Sequence, residues 1–169
     1  MIKNIILRNA IFGSVIITSL LIFITLFMKS NPEKEVSMMV GFAGMLLAFL
    51  FVIIGIKQQR NLNDGFISFG KAFFTGFWIT LIISTLYVLV WLVILYNFFP
   101  NFAEHYTDMA IAKASPDEVA KVTEEMNSFK EMYKHPIWVI LFTYMEVLPL
   151  GIVFSLVSAL ILKKKQITK

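Results

Sequence analysis

Residues 137–162 read IWVILFTYMEVLPLGIVFSLVSALIL, and this stretch decides the fold. A helix needs about 20 predominantly apolar residues to cross the hydrocarbon core of a bilayer. The stretch is longer than that and carries a single charged side chain, Glu146. It therefore predicts a transmembrane helix, and it raises the question of why this helix contains an acid.

Three further apolar segments occupy residues 9–28, 37–56 and 72–99. Because the bilayer core offers no water to backbone polar groups, each segment should form a helix. Only 15% of the residues are charged, against roughly a quarter in soluble domains. Residues 1–169 are therefore predicted to form one integral domain, an all-α membrane protein with four transmembrane helices. No small-residue cleavage pattern follows the first segment, which predicts an uncleaved signal anchor.

The basic residues predict the orientation, because loops rich in Lys and Arg stay in the cytoplasm. They precede the first segment, fill the connection between the second and third, and follow the fourth (Lys3, Arg8, Lys57, Arg60, Lys71, Lys163, Lys164, Lys165 and Lys169). Acids concentrate in the other two connections, with Glu33 and Glu35 in the first of them. We therefore expect both termini in the cytoplasm, an N-in/C-in topology.

The connection 100–136 is predicted to form an extracytoplasmic insertion of two amphipathic helices, at roughly 101–114 and 116–134. Ser115 and Glu118 have the spacing of a capping box at the start of the second helix. Apolar residues then recur at helical spacing and form one stripe, which consists of Val119, Val122, Met126, Phe129 and Tyr133. This stripe either packs within the chain or on the membrane surface, or docks a membrane or periplasmic protein partner.

Glu146 lies near the middle of the fourth segment, where a charged side chain costs on the order of 2.5–3.5 kcal/mol. Pro149 has no N–H and disturbs the preceding turn, so we expect a kink and a carbonyl that a protonated Glu146 can bind. Ser84 and Thr85 are candidate partners at similar depth. Glu146 is then either a neutral acid that fixes helix packing, or a protonatable or ligand-binding group in a cavity, with Pro149 and Gly151 supplying flexibility.

Lys57, Arg60 and Lys71 lie beside the ends of the second and third segments, where long basic side chains reach the headgroups. They either anchor the orientation or bind an anionic lipid headgroup. Small residues recur every four positions, and such spacing lets helices approach closely; they are Gly151, Ser155 and Ala159, and Gly44 and Ala48. The neighbouring helix belongs either to this chain or to a second copy in a homo-oligomer.

The chain has no cysteine, which excludes disulfides and thiolate chemistry. HExxH, GxSxG and P-loop motifs are absent from the sequence, and His105 and His135 lack the spacing of metal ligands. The basic residues mark membrane flanks instead of a nucleic-acid-binding face. We therefore expect no enzyme activity, no metal or cofactor, and no nucleic-acid partner.

Four stretches resemble the domain of unknown function 4199 family: GIKQQR (55–60), GFISFGKAF (65–73), FKEMYKHP (129–136) and EVLPLGIVFSLVSALILKKK (146–165). The resemblance implies a multi-pass protein in the inner membrane of Bacteroidetes-type bacteria, and it implies no activity or catalytic residues. The leading expectation is a non-catalytic scaffold or accessory subunit. The alternative is a small oligomeric proton-linked carrier that uses Glu146 in a kinked fourth helix.

Overall fold

The computed structural model of the chain describes residues 1–31 and 36–164. The predicted charges at Glu33, Glu35, Lys165 and Lys169 lie outside these ranges. Six α-helices account for most of the described residues. They are α1 (Ile2–Ser30), α2 (Met38–Asn61), α3 (Phe69–Phe98), α4 (Phe102–Lys113), α5 (Val119–Tyr133) and α6 (Pro136–Leu162).

Four of these helices, α1, α2, α3 and α6, are long and apolar enough to cross a membrane. This confirms the four predicted segments, although each helix begins before its segment or extends beyond it. α3, for example, has 30 residues, a length of about 45 Å at 1.5 Å per residue. Two serines fix helix starts as N-caps: Ser37 accepts a hydrogen bond from the Met39 N–H at 3.3 Å, and Ser68 from the Lys71 N–H at 3.5 Å.

The four long helices alternate in direction, because the start of α1, the end of α2, the α2–α3 connection and the end of α6 are joined by hydrogen bonds. α3 packs most extensively on α6, and both α2 and α3 contact α1, while α2 also reaches α6. Phe49 and Val52 of α2, Ile79 and Ile83 of α3, and Val147 of α6 are fully buried at the centre. The predicted small residues lie in these contacts, since Ala48, Ser155 and Ala159 are also fully buried. α6 continues as an α-helix through Pro149.

A polar layer joins the chain segments at one end of the bundle. The Arg8 guanidinium and the Asn9 amide both donate to Gln58 Oε1, at 3.0 and 2.8 Å. Ile67, in the α2–α3 connection, and Lys164 exchange backbone hydrogen bonds as one antiparallel bridge. The start of α1, the α2–α3 connection and the end of α6 therefore lie together, and the described basic flanks share one end of the molecule.

The connection between α3 and α6 contains the two expected short helices, with one difference in the start of the second. Residues 115–118 form a turn, and α5 begins at Val119 without a side-chain cap. Ser115 Oγ donates to Glu118 Oε2 at 2.6 Å, so the two side chains bind each other and not the backbone N–H groups. The predicted capping box is therefore wrong, because its two members satisfy one another across the turn.

Candidate functional site

Glu146 is the eleventh residue of α6, about 15 Å along the helix axis from its first residue. Its side chain is exposed and lies on the wall of a cavity of about 530 Å³. Every helix of the described chain contributes to the lining, which consists of Ile24, Met28, Val36, Ser37, Gly41, Phe42, Met45, Tyr87, Trp91, Phe102, Tyr106, Phe129, Tyr133, Phe142, Thr143 and Glu146. Glu146 is the single charged side chain among these residues.

Aromatic rings from four helices build one side of this cavity. Phe129 of α5 lies 4.4 Å from Tyr133 and 5.4 Å from Tyr106 of α4, measured between ring centroids. Both α5 rings also lie 6.1 Å from Phe142 of α6. Trp91 of α3 meets Phe102 of α4 edge-on at 5.3 Å. We call α4 and α5, together with these contacts, the aromatic cover.

The aromatic cover accounts for part of the predicted apolar stripe. Phe129 and Tyr133 pack on α4 and α6, as the first of the two alternatives for the stripe expects. Burial, opposed by the Trp91 side chain, raises the pKa of Tyr133 to about 12, and the negative charge of Glu146 acts in the same direction as burial. The Tyr133 phenol is therefore neutral at physiological pH.

The expected hydrogen bond between Glu146 and a carbonyl near Pro149 is not formed. Within residues 1–31 and 36–164, Glu146 makes neither a hydrogen bond nor an ion pair. The candidate partners do not bind Glu146. Thr85 Oγ1 lies 2.8 Å from the Tyr144 hydroxyl and donates to the Leu81 carbonyl, and the buried Ser84 hydroxyl has no hydrogen-bond partner in the part of the chain that the structure describes. The carboxylate therefore lines the cavity without a hydrogen-bond partner among the described residues.

Gly151 lies outside this cavity, in the contact between α3 and α6. The Thr80 hydroxyl is 3.1 Å from the Gly151 carbonyl oxygen and 3.1 Å from Ser155 Oγ, and Ser155 Oγ donates to the same carbonyl at 2.9 Å. A Cβ atom at Gly151 would come within 2.3 Å of the Thr80 methyl group and 2.7 Å of the Phe49 ring. The structure therefore places Gly151 as a packing position, where backbone and buried side chains meet.

The three predicted lipid-binding residues do not converge. An Arg60 guanidinium nitrogen lies 3.5 Å from the carbonyl oxygen of Leu162, at the end of α6, where a positive charge complements the helix dipole. Lys71 lines a separate groove of about 730 Å³ near the start of α1, and neither Lys57 nor Arg60 lines it. Of the three, Lys71 lines this groove, whose volume is large enough for a ligand.

Sequence reasoning missed the walls of the Glu146 cavity, and in particular Tyr87, Trp91 and Phe142. A signal was present, because aromatic residues cluster in the second half of the third segment, in the first turns of the fourth and in the stripe of α5. These aromatic residues are far apart in sequence; Tyr87 and Phe129, for example, are separated by more than 40 residues. Only the tertiary structure shows that they line the same cavity. The described residues contain no group of three acids or histidines that could hold a metal ion.

Comparison with known proteins gives one result. No curated protein and no solved structure matches the chain. A family model described as "Protein of unknown function (DUF4199)" matches residues 10–164, nearly the whole sequence. This multi-helix protein with four membrane-spanning-type helices therefore belongs to the DUF4199 family.

Proposed function

We propose that the protein is a non-catalytic accessory protein of the bacterial inner membrane that binds a small, largely apolar ligand in the Glu146 cavity. The observation that carries this proposal is a carboxylate without a protein partner among the described residues, on the wall of a cavity of about 530 Å³. Ligand sites typically measure about 300–1,000 Å³ and combine apolar walls with a few polar groups. An intramembrane acid that bonds to nothing is costly, and such acids usually serve a function.

Filling the cavity tests this function. Gly41 lines the cavity from α2, and a Cβ atom there would have no neighbour within 4 Å. We expect Gly41→Trp to fold normally and to place an indole in the space that the ligand occupies. Native mass spectrometry of mildly extracted wild-type protein should show a bound small molecule, and the adduct should fall at least tenfold in Gly41→Trp.

Met145→Trp is the matched control, because Met145 is 72% exposed on the neighbouring surface of α6 and receives the same added ring. This control should keep the adduct. If wild type and Gly41→Trp show the same adducts, the cavity does not bind a ligand. The accessory role would then not involve a small molecule in this cavity.

We further propose the N-in/C-in topology, with α4 and α5 outside the cytoplasm. The described basic residues of the flanks gather at one end of the bundle and the aromatic cover lies at the other, which supports this orientation by the positive-inside rule. In that arrangement Lys71 lines its groove at the cytoplasmic side, and it is our proposed contact for an anionic lipid headgroup. The Glu146 cavity then opens in the outer half of the membrane.

A protein partner at the 100–136 connection and a homo-oligomer both remain proposals. Phe129 and Tyr133 already pack on α4 and α6. A protein partner would therefore contact the opposite, polar faces of α4 and α5. These faces carry exposed ion pairs, such as Lys121 with Glu125 at 3.8 Å and Lys130 with Glu104 at 3.4 Å. Exposed pairs of this kind contribute little to stability, and they leave the charges accessible to a partner.

A proton-linked carrier is the second candidate function, favoured by the position of Pro149 inside α6 and one turn from Glu146. A proline inside a helix removes one backbone hydrogen bond and makes bending easier. If α6 must bend during transport, Pro149→Ala should keep ligand binding and lower uptake of that ligand into proteoliposomes at least tenfold. Equal uptake by the variant and the wild type would rule out bending at Pro149 as a transport step.

A further inference from the structure

The charge of the Glu146 cavity selects among ligand classes. No lysine, arginine or histidine is found among the described residues of its lining, and Glu146 is the one carboxylic acid there. An anionic ligand would meet a like charge without a compensating base. A ligand with one positive charge would instead form an ion pair with the carboxylate in surroundings of low dielectric constant, where such pairing is strong.

The aromatic walls of the cavity also favour a positively charged ligand. The faces of Trp, Tyr and Phe rings carry partial negative charge and attract cations within about 6 Å of the ring centroid. Tyr106, Phe129, Tyr133 and Phe142 form a connected cluster in which neighbouring centroids lie 4.4–6.1 Å apart. Groups of aromatic rings are a common means of recognising quaternary ammonium ions.

The walls are poorly suited to a metal ion. Hard cations take six or more oxygen ligands, whereas the described part of the chain offers no cluster of three acids or histidines. The Thr143 hydroxyl is already committed to the Val139 carbonyl at 2.7 Å. A cation that brings its own apolar substituents needs fewer oxygen ligands and fills the apolar remainder of the space.

We propose that the ligand of the Glu146 cavity is an organic ammonium ion with apolar substituents, held between the Glu146 carboxylate and the rings of the aromatic cover. This inference rests on the proposed function, in that it names the class of ligand for the same cavity. It also predicts competition with protons, because a protonated Glu146 has no charge to offer. Below the pKa of Glu146, affinity for the ammonium ion should fall about tenfold for each unit of pH, as expected for linked binding of one proton.

Within the lining, the other titratable groups are tyrosines. Tyr87 comes from α3, Tyr106 from α4 and Tyr133 from α5, while the described lining residues of α1 and α2 are not titratable. Lys29 of α1 and His105 of α4 line the adjoining cavity, which shares Trp91, Phe102 and Tyr106 with this one. The Tyr133 phenol, which burial keeps neutral, does not repel the ammonium ion. We therefore expect Glu146, the one carboxylic acid of the lining, to be the main source of the pH dependence of binding.

Three probes that share a benzyl group and differ in charge test the proposal on the full chain in nanodiscs: benzyltrimethylammonium, benzyl alcohol and phenylmethanesulfonate. Binding is measured by isothermal titration calorimetry with empty nanodiscs as the blank. We expect wild-type protein to bind the ammonium ion at least tenfold more tightly than the alcohol, and the sulfonate most weakly. Glu146→Gln should abolish the difference between ammonium ion and alcohol, whereas Glu146→Asp, which keeps the charge, should retain most of it.

Two results would overturn the proposal. If wild type and Glu146→Gln bind the ammonium ion and the alcohol equally well, the cavity selects for apolar shape and not for charge. If the ammonium ion does not bind at all, the class of ligand is wrong. In both cases the proposed function is judged separately, by whether the adduct seen in native mass spectrometry disappears in Gly41→Trp.

Discussion

Gly151→Ala is expected to be strongly destabilising, with a loss of about 1–3 kcal/mol in the free energy of unfolding, the usual cost of overpacking a well-packed core. The added Cβ would collide with the Thr80 methyl group and with the Phe49 ring. Both neighbours are fully buried, and the hydroxyl of Thr80 is tied to Ser155 and to the Gly151 carbonyl. Because neither can move aside cheaply, α3 and α6 would have to separate.

Unfolding in mixed micelles with increasing dodecyl sulfate measures this loss. Gly41→Ala is the matched control, since a Cβ atom there meets nothing and alanine favours a helix over glycine; its stability should be unchanged or slightly higher. Thr80→Ser removes the colliding methyl group and keeps the hydroxyl, so Gly151→Ala should cost less in a Thr80→Ser background. Gly151→Ala as stable as wild type would show that the α3–α6 contact is looser than the structure indicates.

The membrane helices are predictable because hydropathy and length are properties of a single segment. The segment 72–99 and the helix Phe69–Phe98 agree to within three residues at each end. The first helix is less well predicted: it begins at Ile2, whereas its apolar segment begins at residue 9. Hydropathy marks the part of a helix that lies in the hydrocarbon core, and polar residues such as Lys3 and Arg8 belong to the same helix but precede that part.

The Glu146 site is predictable only in its central residue. An acid in an apolar segment is evident from the sequence. The cavity around it is built by six helices and depends on how they pack. Gly151 shows the consequence. Five residues along an α-helix correspond to a rotation of about 140° from Glu146, so Gly151 faces α3 while Glu146 faces the cavity. Thr143, three residues before Glu146, lies on the same side and lines the cavity.

Arg60 illustrates a second limit of sequence reasoning. A basic residue beside a transmembrane segment can interact with several partners at similar energy, among them a lipid phosphate and the carbonyl end of a neighbouring helix. The sequence cannot rank them, because the end of α6 is 102 residues away along the chain. In the structure Arg60 points to that helix end, and Lys71 faces the open groove.

Glu146→Leu is expected to stabilise the protein, by about 1–3 kcal/mol. The upper end of this range corresponds to the cost of a charged side chain near the centre of a membrane helix, and exposure to an open cavity reduces it. The expectation follows from the structure, in which Glu146 makes no hydrogen bond or ion pair with any described residue. A residue kept for binding commonly lowers stability, so its removal should raise it.

The two interpretations of Glu146 predict opposite signs in this experiment. A structural acid that fixed the packing of a kinked α6 would make Glu146→Leu destabilising, because a buried network would lose a member. A ligand-binding acid makes the same variant stabilising, most clearly at high pH where the carboxylate is charged. Lowering the pH should reduce the difference in free energy of unfolding between Glu146→Leu and wild type, because protonation removes the charge from the wild-type cavity. Met145→Leu changes the exposed neighbouring position and should have nearly the wild-type free energy of unfolding at any pH. If Glu146→Leu is destabilised while Met145→Leu is not, Glu146 has a structural role.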